Sequence, residues 1–238
     1  MLLPGLSLPG LHETHVWQLC IPHALPYQAG WSAWLSPDEC DRGQRFRRAE
    51  DRDRFILSRA GLRYLLARYL NCAPDTIAFT YSPYGKPSLA HPPSTLTFNL
   101  SHSGQWVIYG IGYANYLGVD VEQLNRRTAL EGLIQRCLTP AEQASLPLGG
   151  PERLRGFCQY WTIKEAHLKA IGLGLSYPID QVQVDWLPEP WLACPAKTAD
   201  TAALEWTIKT WWPSEDAIAA VCVGQADSYL SMHPFPFG

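Results

Sequence analysis

Asp120 and Glu122 stand two residues apart in Gly118-Val119-Asp120-Val121-Glu122. On a strand, both carboxylates would face one side, about 7 Å apart along the chain, with Val119 and Val121 on the other. Acids that close repel each other, and a hard cation with oxygen ligands, Mg²⁺ or Ca²⁺, is the direct relief. An exposed strand face carrying two solvated acids is the alternative. Glu165 adds a third acid. Leu154, Phe157, Cys158 and Trp161 recur at i, i+3, i+4 and i+7, and that stripe continues at 165 and 168. An acid inside an apolar stripe is costly unless it meets a cation. Lys164 and Lys169 are close by; the plainer alternative is an exposed Glu165–Lys169 pair worth about 0.3–0.5 kcal/mol. Three acids would make a cation site, and lysines beside it would suit a substrate carrying phosphates. Glu142 lies in the segment between the Asp120–Glu122 pair and Glu165. The run Asn99-Leu100-Ser101-His102-Ser103-Gly104 offers hydroxyls, an imidazole and a glycine turn, a set able to bind phosphate. Ser101 and His102 are chain neighbours, so they do not form a hydrolytic triad by any spacing rule. Lys86 sits in a Gly-Lys-Pro turn.

The elements that must position these groups follow from periodicity. A strand is expected at Thr14–Ile21. A helix follows, with Phe55, Leu62, Leu65, Leu66 and Tyr69 on one face, Arg52, Arg59, Arg63 and Arg68 elsewhere on the cylinder, and Pro74 ending it. Alternation predicts strands around Ile77–Tyr81, Leu96–Leu100, Trp106–Tyr113 and Leu117–Val121. A second long helix starts after Gly149-Gly150-Pro151 and stops at Gly172 or Gly174. Short strands are expected near Val182–Trp186, Leu204–Trp211 and Ala217–Val223. The order strand, long helix, several strands occurs twice. It implies an α+β chain of two similar halves, 1–114 and 115–238, each a long helix on a small, mainly antiparallel sheet, with the site in the cleft between them. The tail from Gln225 reads as an extended strap.

Composition limits the classes. A net charge of −3 and 47% hydrophobic against 17% charged residues exclude a disordered chain, and no apolar run reaches the roughly 18 residues of a membrane span. The N-terminus lacks the basic and apolar regions of a secretory signal, so a cytoplasmic protein is expected. The seven cysteines are spaced for neither a zinc knuckle nor a disulfide framework. Nine arginines between Arg42 and Arg68 favour a polyanionic ligand. A Mg²⁺-dependent nuclease or phosphodiesterase shares this chemistry, although the negative net charge speaks against nucleic acid. A non-enzymatic interaction module built on the ten tryptophans is a third reading, but those rings suit the core and the seam between halves.

Together the motifs resemble the 4′-phosphopantetheinyl transferase superfamily, in its larger, monomeric, surfactin-synthetase-activating type. Gly118-Val119-Asp120-Val121-Glu122 and Trp161-Thr162-Ile163-Lys164-Glu165-Ala166-His167-Leu168-Lys169 carry the likeness. Tyr84-Gly85-Lys86-Pro87 and Phe98-Asn99-Leu100-Ser101-His102-Ser103 support it, and the whole covers roughly residues 36 to 186. The resemblance implies transfer of 4′-phosphopantetheine from coenzyme A to a serine of an apo acyl or peptidyl carrier protein, releasing 3′,5′-ADP. It implies Mg²⁺ on Asp120, Glu122 and Glu165, with Lys164 and Lys169 facing the pyrophosphate. Ser101 and His102 would bind the 3′-phosphate, and Lys86, Arg54 and Arg42 the nucleotide end. Glu165, directly or through a bound water, would be the base, with Glu142 as second choice. Phe55 departs from the small residue the family places near the adenine.

Overall fold

The computed structural model describes residues 5–124, 130–186, 189–196, 201 and 204–237. Strand β1 (Glu13–Cys20) leads through the single-turn helices α1 (Ile21–Ala24) and α2 (Gln28–Trp31) to α3 (Pro37–Gln44) and the long α4 (Ala49–Leu70). Strands β2 (Ala78–Tyr81), β3 (Pro87–His91), β4 (Thr97–Ser103), β5 (Trp106–Gly112) and β6 (Leu117–Gln123) come next. Helices α5 (Leu130–Cys137), α6 (Pro140–Ser145) and the long α7 (Gly150–Ile171) precede β7 (Gln183–Asp185), β8 (Trp191–Cys194), β9 (Thr207–Ser214), β10 (Ala217–Val223) and β11 (Tyr229–Pro234). The main sheets are β11-β1-β5-β4 and β6-β10-β9, and β2-β3 and β7-β8 are separate two-stranded hairpins. One long helix thus accompanies each main sheet, as the repeated element order predicts.

Helix α4 departs from the expected one-sided amphipathic cylinder. Residues Leu57 to Ala67 are buried all round, Arg59 and Arg63 included. Both guanidiniums close on Glu39 of α3, Arg59 at 2.8 Å and Arg63 at 2.7 Å, and Arg63 also donates to the carbonyls of Pro74 and Ile77. Burial is possible because each charge has a partner. The helix ends at Asn71 in the left-handed region (φ 50°), three residues before Pro74.

The C-terminal strap belongs to the first half. β11 pairs parallel with β1, so the tail crosses back from the second sheet to the first. Beyond it, Phe235 packs against Trp31 and Tyr64, Phe237 stacks on Trp31, and the Tyr64 hydroxyl donates to the Pro236 carbonyl at 2.7 Å. Burying a phenylalanine side chain contributes roughly 1.5–3 kcal/mol, enough to hold a short tail. Between the halves, Val16 and Ile108 meet Val119, Val121, Ala219 and Val221 in one cluster. Two indoles lock the seam: Trp106 donates to Ser214 (3.0 Å) and Trp211 to Gln18 (2.9 Å).

In the second half, His167 of α7 is fully buried, accepts from the Ala196 N–H at 3.0 Å and meets Trp206 edge-on. Burial pushes its pKa down to about 3. Below pH 6.5 the unfolded chain therefore takes up a proton that the folded chain refuses. This group's stabilisation is present above about 6.5 and is lost as pH falls toward 3, at up to about 1.4 kcal/mol per pH unit. Denaturant titrations from pH 7 to 4 should show a shallower pH dependence in His167→Asn than in the wild type. An unchanged slope would mean that the imidazole is protonated inside the fold.

Candidate active site

Two strands from different sheets, β4 and β6, lie side by side and run in the same direction, joined by side chains rather than by a backbone ladder. Val119 N–H donates to Asn99 Oδ1 (2.9 Å), Ser101 Oγ to Asp120 Oδ1 (2.8 Å), and Ser103 Oγ to Glu122 Oε2 (3.3 Å). The Asn-x-Ser-x-Ser alternation on one face of β4 is therefore what aligns Asp120 and Glu122. Helix α7 covers this seam closely because residue 118 is glycine: a Cβ there would stand 2.0 Å from the Ala166 carbonyl oxygen and 2.5 Å from the Ala170 nitrogen.

On α7, residues 161, 165 and 169 are one turn apart and share a face. Trp161 Nε1 donates to Glu122 Oε1 at 2.7 Å, and Lys169 Nζ donates to Asp120 Oδ1 at 2.6 Å. Glu165 lies between these contacts and is buried, as its place in the apolar stripe predicts. Lys169 thus pairs with Asp120 across the seam, in place of the local surface pair with Glu165. Asp120 is 3% exposed; its Oδ1 takes both Ser101 and Lys169, while its buried Oδ2 has no hydrogen-bond partner among the described residues. Burial, with the Glu122 charge adding to it and Lys169 opposing, raises its pKa to about 6. That shift acts on stability in the sense opposite to His167, since the folded chain holds the extra proton between about 6 and 3.8.

This buried, unpartnered carboxylate oxygen beside further hard oxygen donors suits a divalent cation. The donor set fits Mg²⁺, with Asp120, Glu122 and Glu165 as the residues able to hold it. Among the described residues no three acidic, histidine or cysteine side chains are already gathered into a metal cluster, and Glu122 contacts Trp161 and Ser103.

In front of Lys169, a cavity of about 290 Å³ is walled by Arg42, Phe55, Arg59, Tyr81, His102 and Lys169. A neighbour of about 210 Å³ shares Gly85, Pro87, Leu100 and Lys169 with it. Arg42 lies over the Phe55 ring at 5.4 Å, so the bulky residue at 55 forms the cavity wall. His102 keeps an exposed edge, yet burial of the ring and the charges of Arg54, Lys169 and Arg42 push its pKa down to about 4. It is a neutral donor at pH 7. Arg54 pairs with Asp51 and donates to the Gly104 carbonyl at 3.2 Å, and it is not part of this cavity's lining.

Three expected ligand contacts are occupied differently. Lys164 does not reach the cleft: fully buried, it donates to Glu142 Oε2 (2.6 Å) and to the Cys137 carbonyl (2.9 Å). Glu142 is in turn removed from the candidate bases, since it also accepts from Val184 N–H (2.9 Å) and caps α6 through Thr139 N–H (2.7 Å). Lys86 spends two donors on the carbonyls of Ala170 (2.6 Å) and Leu117 (3.3 Å), bridging the β2–β3 hairpin to the second half, and burial pulls its pKa down to about 8. Ser101 donates to Asp120 and accepts from Lys169, so its hydroxyl orients the acid while lining the cationic cavity. Sequence reasoning gave no role to Trp161, although its place one turn before Glu165 signalled that it shares the acid's face. Glu39 carried no local signal, as its partners lie 20 and 24 residues away.

Residues 116–222 match the model of the 4′-phosphopantetheinyl transferase superfamily, and residues 25–111 match that of the 4′-phosphopantetheinyl transferase N-terminal region. The 4′-phosphopantetheinyl transferase HetI of Nostoc sp. is 34% identical over 223 residues, 92% of this chain and 91% of its own length. The chain belongs to the 4′-phosphopantetheinyl transferase superfamily. A Synechocystis sp. relative named for the same activity is 39% identical over 177 residues, covering 74% of this chain and 71% of its own length. The 4′-phosphopantetheinyl transferase Sfp of Bacillus subtilis is 31% identical over 153 residues, 64% of this chain and 66% of its length. Both family regions therefore converge on the seam: the N-terminal match brings α4 and β4, and the superfamily match brings β6 and α7.

Proposed function

We propose that this chain transfers the 4′-phosphopantetheine group of coenzyme A to a serine of an apo acyl or peptidyl carrier protein and releases 3′,5′-ADP. The observation that carries this is Asp120, buried with an unpartnered oxygen and clamped by Ser101 and Lys169, two residues that line the cationic cavity. Family membership favours this transferase over the nuclease or phosphodiesterase alternative.

Mg²⁺ held by Asp120, Glu122 and Glu165 would neutralise charge on the pyrophosphate. Glu165, at the cleft end of the buried stripe, takes the proton of the attacking serine. Lys169 fronts the cavity with its ammonium and stabilises the negative charge that builds on the departing 3′,5′-ADP. Trp161 and Ser103 fix Glu122, and Ser101 fixes Asp120. His102, with Arg42 across the same cavity, reads the 3′-phosphate through its ring N–H. Ser101 of the first half meets Asp120 and Lys169 of the second at the seam, so the reading includes a working monomer. Among the described residues no helix is long and apolar enough to cross a membrane, and a cytoplasmic setting is part of the proposal. Arg126, Arg127 and Arg136 would suit an acidic carrier surface; the first two lie outside the described residues, and Arg136 is exposed on α5.

Intact mass measurement of an apo carrier protein after incubation with enzyme, coenzyme A and Mg²⁺ tests the reading. Addition of one phosphopantetheine mass, dependent on both small molecules, is expected; an unmodified panel of acyl and peptidyl carriers would reject it. Dephospho-coenzyme A should be a much poorer substrate than coenzyme A, and the penalty should shrink in His102→Ala. An undiminished penalty in that variant would place the 3′-phosphate on other groups.

A further inference from the structure

His15 and Trp17 of β1 stand with His233 of β11 on the side of the first sheet that meets Tyr69 of α4. The His233 ring stacks on Trp17 at 4.6 Å and meets His15 edge-on at 5.1 Å, and its Nε2 shares a hydrogen bond with the Ser231 hydroxyl (2.8 Å). Tyr69 ties down the β1 side of this cluster: Trp17 Nε1 donates to its hydroxyl (2.9 Å), and His15 Nδ1 lies 2.6 Å from it. An indole nitrogen can only donate, so the buried phenol places its own proton on His15 Nδ1. The His15 proton then sits on Nε2, 3.2 Å from Glu13 Oε1. A second proton on this ring would have to take Nδ1 and would strand the phenol's hydrogen. Burial, reinforced by His233 and opposed by Glu13, holds the His15 pKa below its usual value. Around the cluster, β5 brings Ile111 and Tyr109 into register with His15 and Trp17, and α4 brings Arg68, which donates to the Tyr64 hydroxyl and to the Pro236 carbonyl, both at 3.3 Å.

We infer that β11 is an acid-opened clasp: protons on His15 and His233 release it from β1, together with the tail behind it, while each half stays folded. Two cationic imidazoles 5.1 Å apart repel each other, and the single carboxylate of Glu13 cannot neutralise both. Once the strand is released, both rings reach water and separate. The clasped chain thus refuses the His15 proton that the released chain takes below about 6.5, so the clasp is firm above that pH and weakens as pH falls. β11 is the outer strand of its sheet, so its departure breaks a single ladder. What else holds it is the burial of Phe235 and the bonds of Tyr64 and Arg68 to the Pro236 carbonyl. Opening does not stop at the tail. Leu230 and Met232 pack on the seam cluster beside Val119 and Val121, so a loosened β11 also withdraws support from β6, the strand bearing Asp120 and Glu122.

Hydrogen exchange of the intact chain at pH 7 and pH 5, with labelling times scaled for the intrinsic rate, tests the clasp. In wild type, protection of residues 229–237 should fall by about tenfold or more between the two pH values, beyond any fall in α7, because one refused proton is worth up to about tenfold per pH unit. His15→Gln and His233→Gln keep polar amides that cannot titrate, and each should reduce that fall to about threefold or less. His233 is only half-buried, so its replacement leaves the packing of β1 on α4 in place. An equal loss of protection in the tail and in α7 would overturn the clasp, since acid would then be unfolding the chain as a whole. Tail protection that is the same at both pH values, or a wild-type fall retained in both variants, would equally overturn it. Should His15→Gln stand open already at pH 7, the wild-type profile and His233→Gln decide.

Discussion

Glu165→Gln should lower turnover of the carrier protein by about 10²- to 10⁴-fold, a loss of roughly 3–5 kcal/mol of transition-state stabilisation. Glutamine keeps the volume of a side chain that is 8% exposed, so packing on α7 is preserved while the negative charge and the proton acceptor are both removed. Thermal unfolding of the variant should therefore stay near that of the wild type, which separates a chemical defect from a folding one. Asp120→Ala should show a comparable loss for a different reason. It frees Lys169 and Ser101 from the carboxylate that both contact and deletes the buried oxygen that has no other partner. Its stability should fall less than that of an ordinary buried acid deletion, because Asp120 already stands under strain from burial and from Glu122, with its pKa raised to about 6. Turnover within threefold of wild type in either variant at saturating Mg²⁺ would remove the seam from the chemistry.

The second large effect is on stability. Glu142→Ala should cost about 3–5 kcal/mol, because it strands the fully buried Lys164 ammonium and leaves the Val184 and Thr139 N–H groups without their acceptor. For a chain of this size the midpoint should drop by roughly 10 °C. Burial already pulls the Lys164 pKa down, with Glu142 opposing that shift, so the unpaired lysine should partly neutralise instead of remaining charged. The double replacement Glu142→Leu/Lys164→Met should recover much of the loss, as apolar substitutes for a buried pair generally do. The same proteins decide the role of Lys164. If it anchors α6, α7 and β7, coenzyme A affinity of the folded double variant stays at the wild-type value. A tenfold weaker affinity would return Lys164 to the pyrophosphate.

What local sequence determined was the identity and order of the elements, because hydrophobic periods and terminal signals act over a few residues. Gly149-Gly150-Pro151 opens α7, and Gly172, at φ +78°, closes it. The alternation through Val119, Asp120, Val121 and Glu122 does turn the valines to the seam cluster and the acids to β4 and α7. Glu165 could be placed indoors from its stripe alone. Several additions came only with the fold, among them the strands β3 and β8, in stretches without strong alternation, and the pairing of β11 with a strand more than two hundred residues earlier.

The tertiary structure decided which of the chemistry-bearing residues face the cleft. Lys164 and Lys169 are five positions apart, and a helix turns about 100° per residue, so they emerge from α7 some 140° apart. A sequence cannot say which of them meets Asp120 until β6 has been laid against the helix. Once Gly118 permits that contact, Lys169 lands on Asp120 and Lys164 is forced into the core, where Glu142, 22 residues away, supplies the opposite charge and the Cys137 carbonyl a further acceptor. Arg59 and Arg63 share the same logic: they looked like a solvated face because Glu39, the acid that lets them be buried, is distant in the chain. Charge pairing in a low-dielectric interior depends on separations of a few ångströms, and those are set by packing across elements rather than by spacing within one.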